Sequence, residues 1–403
     1  MKARGPESRD ATAPALSGTN VSRAGDHNQR VTLQAIRVAG AATRPEVAAM
    51  TGLTPAAVAN ITARLVKERL VVETGQRRGV RGKPSMRLAI NPTGRFSVGL
   101  NIDRDHMTMV VVDFLGSVLG RAASEVKFAR PDDVRGFVAE AFEELVGCAR
   151  IPRRRLVGCG IAFPDDLTRT VLPDQPAAYA EWQTTAIGEL VEDVLGLPTV
   201  VENDAAAAAI GELQFGAGQR CQSFFYLLVT AALGGGVVAD GQYVRGATGR
   251  SGEIGWLAGY DGTGTAVQLQ RLLSLSALAE RLGRHGIHVI APAEFGALDS
   301  LGNAIVEDWI REVTRALEPA LVAVNCLINP ELVLIGGRLP APIVDRLACA
   351  LNAHLAALAP DLPAIAPVTR AVLADDAPAV GAAILPFRDR LLPSRYALFR
   401  SAS

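Results

Sequence analysis

The fold is decided by FSVGLNIDRDHMTMVVVDFLGSVLGRAASE, residues 96–125, and by SFFYLLVTAALGGGVVADGQYVRGATG, residues 223–249. Each stretch alternates apolar runs with short polar or glycine-rich breaks, so each predicts three strands joined by tight turns. After the first stretch, the periodicity predicts helices at about 133–150 and about 185–195. LVGCGIAFP and PTVVEND then predict two more strands, and NPELVLIGG predicts a strand after the second stretch.

A β-β-β-α-β unit that occurs twice is typical of a two-lobed, actin-like or hexokinase-like ATPase fold of the α/β class. Ligands of such folds bind in the cleft between the lobes, near the carboxyl ends of strands. The repeat rests on pattern alone, because no internal sequence identity supports it. A chain of 403 residues has room for two or three domains. Its low aromatic content, 5%, favours cores of Ala, Val and Leu.

The net charge of zero conceals an asymmetry along the chain. Residues 1–26 are rich in Ala, Ser, Gly, Pro and charge, and we expect a disordered tail there. Residues 27–90 carry eleven Lys and Arg against three Asp and Glu, whereas residues from 91 onward are net acidic. A basic segment joined to an acidic body indicates that only the segment contacts a polyanion.

The basic segment has the pattern of a helix-turn-helix. NQRVTLQAIRVAG predicts an amphipathic helix, and a capping box of Thr43 and Glu46 begins a short second helix that ends at Gly52. Thr54 and Pro55 then suit the N-cap and first position of a third helix. LVVETGQRRGVRGKPSMRLAINP predicts two strands joined by a basic loop, which is a wing.

The third helix and the wing supply the candidate DNA contacts. Val58, Ile61, Leu65 and Val66 lie at helical spacing and predict the buried face. Small and polar residues on the opposite face permit close approach to the major groove, and RGKP suits an arm for the minor groove. The predicted DNA-binding residues are Thr54, Ala56, Ala57, Asn60 and Arg64 in the helix, with Arg78, Arg81 and Lys83 in the wing. The alternative is a solvated charge run in a helical domain.

Taken together, these motifs resemble the ROK family (repressors, open reading frames and sugar kinases). The matching stretches are the winged helix with its RGKP arm, GLNID, GIAFP, VENDAAAAAIGE, LGGGVVADGQYVRGATGRSGEIGW and NPELVLIGG. The resemblance is to the repressor branch that controls N-acetylglucosamine, xylose and glucose genes. It covers roughly residues 27–390, and implies a winged helix-turn-helix at 27–90, a two-lobed sugar-sensing domain at 95–390 and a tail at 391–403.

The resemblance also tests whether the chain could be a kinase. In ROK kinases the Asp of the END motif takes the proton from the sugar hydroxyl, and here that residue is Asp204. The family's phosphate-binding turn, Asp-x-Gly-Gly-Thr, corresponds to residues 101–105, where the two glycines are Asp103 and Arg104. A second phosphate loop, Gly-Thr-Gly, corresponds to residues 231–233, which are Ala, Ala and Leu. We therefore expect no ATP cofactor and no enzyme activity.

The sugar side of the cleft is partly kept. By resemblance, Asn203, Asp204 and Glu253 hydrogen-bond the hydroxyls of a sugar. From spacing alone, Asp204 could equally be a helix N-cap. The family's Gly-x-x-Pro-Gly sugar loop ends here in Asp165, which leaves the preferred sugar open.

No zinc is expected either. ROK proteins often hold a structural zinc with the His of GEIGH and three cysteines of a downstream loop. This chain has Trp256 at the His position, and the following segment lacks cysteine. We expect packing to hold this loop instead, with Trp256 filling the space.

The sequence therefore predicts a sugar-responsive DNA-binding regulator, most simply a repressor, that acts as a homodimer or a dimer of dimers. The first segment lacks the apolar core of a signal peptide, and no apolar run is long enough to span a membrane, so a cytoplasmic location is expected. The alternatives are an ATP-dependent sugar kinase with a DNA-binding head and a regulator controlled by a protein partner.

Overall fold

A computed structural model describes residues 21–77, 85–165, 167 and 176–393 of the chain. The described residues divide into two compact units. The first unit contains residues up to Ile90 together with those from Arg388 onward, and the second contains residues 91–387. Residues 388–390, expected in the sensing domain, thus group with the N-terminal unit. Within the described residues, no helix is both long and apolar enough to cross a bilayer.

The first unit contains three helices and a three-stranded antiparallel sheet of order β1-β3-β2. Its elements are α1 (Val21–Val38), β1 (Ala41–Thr43), α2 (Arg44–Thr51), α3 (Pro55–Lys67), β2 (Val71–Arg77) and β3 (Ser85–Ile90). Leu33, Ile36, Val58 and Leu65 form its core. This order of elements is compatible with a winged helix-turn-helix.

The caps of this unit are those that the sequence predicts. Thr43 and Glu46 form a reciprocal capping box on α2, and Gly52 ends the helix in the left-handed conformation. The Thr54 side chain accepts from the Ala57 amide at the start of α3. Two details differ from expectation. Residues 21–26, expected in the disordered tail, are the first residues of α1, because extending a formed helix costs little. Strand β1 is too short to leave a pattern in the sequence.

The second unit is built from two halves with the same strand order. The first half contains β4 (Phe96–Ile102), β5 (His106–Asp113), β6 (Val118–Glu125), α4 (Pro131–Cys148), β7 (Leu156–Ala162), α5 (Ile187–Leu195), β8 (Thr199–Glu202) and α6 (Asp204–Phe215). Its sheet has the order β6-β5-β4-β7-β8. Every residue of β4 and β5 is buried, because α4 and α5 cover one face of the sheet and α10 the other.

The second half repeats this arrangement with an insertion. It contains β9 (Phe224–Val229), β10 (Leu233–Ala239), β11 (Gln242–Tyr243), β12 (Ala258–Tyr260), β13 (Ala266–Gln268), α7 (Leu275–Gly283), α8 (Ser300–Leu327), β14 (Leu332–Gly337), α9 (Ala341–Leu358), β15 (Val368–Arg370) and α10 (Ala377–Arg390). Its main sheet has the order β11-β10-β9-β14-β15, which matches the first sheet strand for strand. Hairpin β12–β13 and helix α7 are the insertion. The predicted two-lobed α/β fold is confirmed.

Helices α6 and α10 cross where the halves meet, and small residues allow the contact. A Cβ atom on Gly160 of β7 would lie 1.8 Å from the carbonyl oxygen of Ala382 in α10. One on Gly381 of α10 would lie 1.7 Å from the carbonyl oxygen of Ala207 in α6. The alanine run 205–209 is therefore a packing surface, and every residue of it is buried.

Candidate functional site

Three acidic residues follow three neighbouring strands of the first sheet. Strands β4, β7 and β8 are parallel and adjacent, so their carboxyl ends lie at one edge of the sheet. Asp103 follows β4, Asp165 follows β7 and Asp204 follows β8. A ligand site at this edge is the usual arrangement in an α/β sheet.

Asn203 and Asp204 have different local roles. The Asn203 side-chain oxygen accepts from the Ala206 amide at 3.1 Å, so Asn203 is the N-cap of α6. Asp204 is the first residue of the helix, and its carboxylate accepts from the Ala205 amide at 2.8 Å. The alternative interpretation of Asp204 as the helix N-cap is therefore wrong. Capping engages one lone pair of the Asn203 oxygen and leaves its amide group for a ligand.

The environment of Asp204 favours its protonated form. Burial, and then the negative charge of Asp103, raise the pKa of Asp204 to about 7. Asp165 raises it further, while the Ala205 amide and Arg104 act in the opposite direction. Asp204 is thus divided between its acid and carboxylate forms near neutral pH, and can donate as well as accept a hydrogen bond.

The turn between β4 and β5 is occupied by its own charges. Asp103 is 1% exposed and Arg104 is 5% exposed. The Asp103 amide donates to the His106 carbonyl at 2.9 Å, and the Arg104 amide donates to the Asp103 carboxylate at 2.7 Å. Both amides are therefore engaged inside the turn.

A residue from the other half completes this charge cluster. The Asp105 carboxylate lies 2.8 Å from Nδ1 of His106 and 3.3 Å from Nη1 of Arg338, which directly follows β14. Arg338 also pairs with Glu125 at the end of β6. Burial alone would raise the pKa of the Asp105 carboxyl group. The hydrogen bond and charge of His106, together with the charge of Arg338, outweigh burial and hold this pKa below its ordinary value.

Within the described residues, one group has the ligand types for a metal ion, namely Asp103, Asp105 and His106. Their candidate ligand atoms lie within 4.8 Å of one another. Arg104 Nη1 lies 3.8 Å from Asp103, and Arg338 pairs with Asp105, so guanidinium groups already balance both carboxylates. This group fits an internal ion cluster better than a cation site.

The corresponding turn of the second half is small and uncharged. It consists of Thr230, Ala231 and Ala232, and the Thr230 amide donates to the Ala232 carbonyl at 2.9 Å. Thr230 and Ala231 are buried. The amide of Leu275 donates to the Thr230 carbonyl at 2.8 Å, which fixes the turn to the start of α7.

The segments that carry Asp204 and Glu253 pack against opposite faces of strand β10. Ala205 packs against Gly234 on one face of β10, whereas Gly252 packs against Gly235, which points to the other face. Glu253 is half-buried, and its glycine neighbour Gly252 has a φ of +85°, which favours glycine. The predicted sugar ligands therefore belong to elements on opposite faces of one strand.

Trp256 does not have the role expected of it. Its side chain is 44% exposed, so it does not fill a space inside the loop. The loop is held instead by buried Ile254 and by Gly255, where a Cβ atom would lie 2.2 Å from the Leu233 carbonyl oxygen. The Leu269 amide also donates to the Leu257 carbonyl at 2.9 Å. Close backbone packing fixes the segment, a contact that the sequence pattern did not indicate.

Two arginines near Glu253 in the chain were not predicted as site residues. Arg245 Nη1 lies 3.4 Å from Glu202, and Arg250 Nε lies 3.5 Å from Asp165. Glu202 is the last residue of β8, and Asp165 lies three residues after the end of β7. The sequence shows the arginines, but it gives no signal for partners more than forty residues away.

The predicted DNA-binding residues of α3 lie mainly on its outer face. Ala56, Asn60 and Arg64 are exposed, whereas Ala57 is half-buried. Thr54 is exposed and caps the helix. Arg64 forms an i,i+4 ion pair with Glu68 at 2.9 Å, which leaves the guanidinium accessible. Arg78, Arg81 and Lys83 lie outside the described residues.

A surface cavity of about 610 Å³ lies apart from the predicted ligand residues. Met107, Phe128 and Phe137 contribute apolar walls, and Arg130 lies at its edge. Arg130 pairs with Asp133 at 3.1 Å, so its charge is already balanced. This cavity contains none of the predicted sugar ligands.

The matching halves and the candidate site at their strand ends define an α/β protein of the actin-like, hexokinase-like class. Residues 97–388 match the model of the ROK family, and the chain belongs to that family. It is 30% identical to an uncharacterized protein of Sinorhizobium fredii over 85% of this chain and 86% of that protein. It is 23% identical to a xylose repressor of Caldicellulosiruptor bescii over 73% of this chain and 79% of the repressor.

One solved structure matches nearly the whole chain. It is a ROK family transcriptional regulator described as a homologue of the E. coli MLC protein, with a TM-score of 0.67 and 21% identity. The match covers 94% of this chain and 97% of that one, and it shows a shared fold. Sugar kinases also match, including a glucokinase of Halalkalibacterium halodurans that is 23% identical over 71% of this chain and 93% of the kinase.

Proposed function

We propose that the chain is a cytoplasmic, sugar-responsive transcriptional regulator that binds DNA through its N-terminal unit and represses genes of carbohydrate use. The observation that carries this proposal is the outer face of α3, where Asn60 and Arg64 stand exposed on a capped helix. The unit has the element order of a winged helix-turn-helix. Its net positive charge suits the phosphate backbone.

The proposed operator contacts follow from this arrangement. Helix α3 enters the major groove, where Asn60 and Arg64 can meet base edges. The segment that contains Arg78, Arg81 and Lys83 is proposed to add contacts in the minor groove. A homodimer would place two such helices on a palindromic operator.

The proposed effector is a sugar bound at the strand ends around Asn203, Asp204 and Glu253. Buried or half-buried polar groups select strongly for ligands that satisfy them. The repressors among the relatives, including the xylose repressor, support this class of effector. The effector would shift the balance between two conformations with different operator affinity.

A second candidate function is sugar phosphorylation. It is favoured by Asp204, whose pKa of about 7 suits a general base, and by the kinases among the relatives. It is opposed by the β4–β5 turn, where the Asp103 and Arg104 amides bond within the turn. Phosphoryl transfer needs a cradle for the phosphates of ATP, and buried carboxylates there would repel them. We therefore propose a sensor that has no kinase activity, no ATP cofactor and no zinc.

The test of this proposal is operator binding by an Arg64→Ala variant. Binding of the purified protein to DNA from its own promoter region should weaken with salt. Arg64→Ala should lower the affinity about tenfold and relax specificity at the base that Arg64 contacts. Arg153→Ala is the matched control, because Arg153 is an exposed arginine of the other unit that pairs with Glu143. Equal affinity of the wild type and Arg64→Ala would contradict the assignment of α3.

An ADP-release assay across a panel of hexoses tests the second candidate. We expect no turnover above the protein-free rate. Turnover that disappears in Asp204→Ala would establish the kinase and refute the sensor.

A further inference from the structure

Residues 244–253, which we call the strap, connect the second half of the body to the first through two arginines. Arg245 pairs with Glu202 at 3.4 Å and Arg250 pairs with Asp165 at 3.5 Å. Glu202 ends β8 and Asp165 follows β7, so both partners lie at the edge of the sheet that carries Asp204.

The strap is fixed at both ends and glycine-rich between them. At its start, the Val244 amide donates to the Val237 carbonyl at 2.8 Å. Just beyond its end, Ile254 is buried against β10. Gly246, Gly249 and Gly252 have φ values of +70°, +85° and +85°. Glycine enters this region without the penalty of a Cβ atom, so these positions can act as joints.

The two arginine contacts lie beside the proposed effector site. Glu202 directly precedes Asn203 and Asp204 in the chain. Asp165 is close enough to Asp204 for its charge to raise the pKa of that residue. Both attachments of the strap therefore lie close to Asn203 and Asp204.

The arginines of the strap are more exposed than Arg338, which also pairs with residues of the first half. The side chains of Arg245 and Arg250 are 49% and 37% exposed, whereas that of Arg338 is 10% exposed. Of the carboxylate partners of the strap, Asp165 is 32% exposed and Glu202 is 5% exposed. Partly exposed ion pairs are weak and are screened by salt. The strap can therefore detach while the Arg338 cluster remains intact.

We propose that the strap is a lid over the effector site, closed by Arg245 and Arg250 and opened at its glycines. The statement that an effector enters beneath it rests on the proposed function; the closure itself does not. Glu202 is buried and Asn203 and Asp204 are half-buried with the strap attached, and opening increases the exposure of all three.

Carboxyl footprinting with a carbodiimide and glycine ethyl ester measures this exposure in the full chain without any sugar. In the double variant Arg245→Ala/Arg250→Ala, modification of Glu202 and Asp204 should rise about three- to tenfold. The Arg153→Ala control should leave both unchanged. Glu212, which is fully buried and held by backbone amides, should stay unmodified in every sample and so reports an intact fold.

Two further measurements protect the test against a variant that fails to fold. In the wild type, raising NaCl from about 50 mM to about 1 M should increase modification of Glu202 and Asp204 but not of Glu212. The exchanged pair Asp165→Arg/Arg250→Asp should be modified less at Glu202 and Asp204 than Arg250→Asp alone. Unchanged modification in the double variant, or in high salt, overturns the lid. Failure of DNA or sugar binding with a positive footprint would refute the proposed function and leave the lid standing.

Discussion

The turns that follow β4 and β9 occupy the same place in the two halves of the body, but their residues are opposite in kind. The first contains Asp103, Arg104 and Asp105 and is tied to Arg338 in the other half. The second contains Thr230 and two alanines, and the Thr230 carbonyl accepts from the Leu275 amide of the same half. Because the two sheets share their strand order, the difference lies in the turns and leaves the fold unchanged. The sheets carry the shared architecture, and the turns carry the difference in charge.

The largest expected effect on stability comes from disrupting the packing of strand β7 against helix α10. Gly160→Ala would place a Cβ atom 1.8 Å from the Ala382 carbonyl oxygen, so sheet and helix must separate. We expect a loss of about 3 kcal/mol or more in the free energy of unfolding, measured by urea denaturation. Gly147→Ala is the control, because nothing lies within 4 Å of its added Cβ atom. A Gly160→Ala variant as stable as Gly147→Ala would refute the close contact.

The charged turn can then be tested separately. Arg338→Ala leaves Asp105 and Glu125 without their shared cation, and should cost about 2 kcal/mol at pH 7. The pKa of Asp105 lies below its ordinary value in the fold, so its stabilising contribution is present above about pH 4. That contribution is lost as the pH falls through the lowered pKa. The difference between variant and wild type should therefore shrink below about pH 4 in denaturation curves. If the stability difference between Arg338→Ala and the wild type did not change with pH, the ion pair between Arg338 and Asp105 would be refuted.

A smaller effect on stability is expected from the Asp204 carboxyl group. Its raised pKa means that the folded state loses stability as the pH rises from about 4 to about 7. Asp204→Asn removes that charge and should stabilise the protein by about 1 kcal/mol at pH 8, but little at pH 5. Thermal melts at the two pH values measure this. If Asp204→Asn destabilised the protein equally at both, the carboxylate would have a structural role.

The sequence predicted local features well because local forces determine them. The caps at Thr43, Thr54 and Gly52 depend on residues within one turn, and their signatures are short. The two-lobed fold followed from the repeated β-β-β-α-β pattern. The site was predicted less completely, because its contacts join distant parts of the chain. Arg338 meets Glu125, a residue 213 positions earlier, and no periodicity records such a pair. The prediction that Trp256 fills the space inside its loop was wrong for the same reason. Close backbone contact between Gly255 and Leu233 holds that loop.

Operator binding in the presence and absence of sugar tests the central claim most directly. Fluorescence anisotropy with labelled promoter DNA should show salt-sensitive binding by the wild type, and one sugar of a panel that includes D-xylose should shift the affinity at least fivefold. Asp204→Ala and Glu253→Ala should bind the DNA normally but lose this shift. No salt-sensitive binding, or an undiminished sugar response in both variants, would contradict a sugar-responsive regulator with its effector site at these residues.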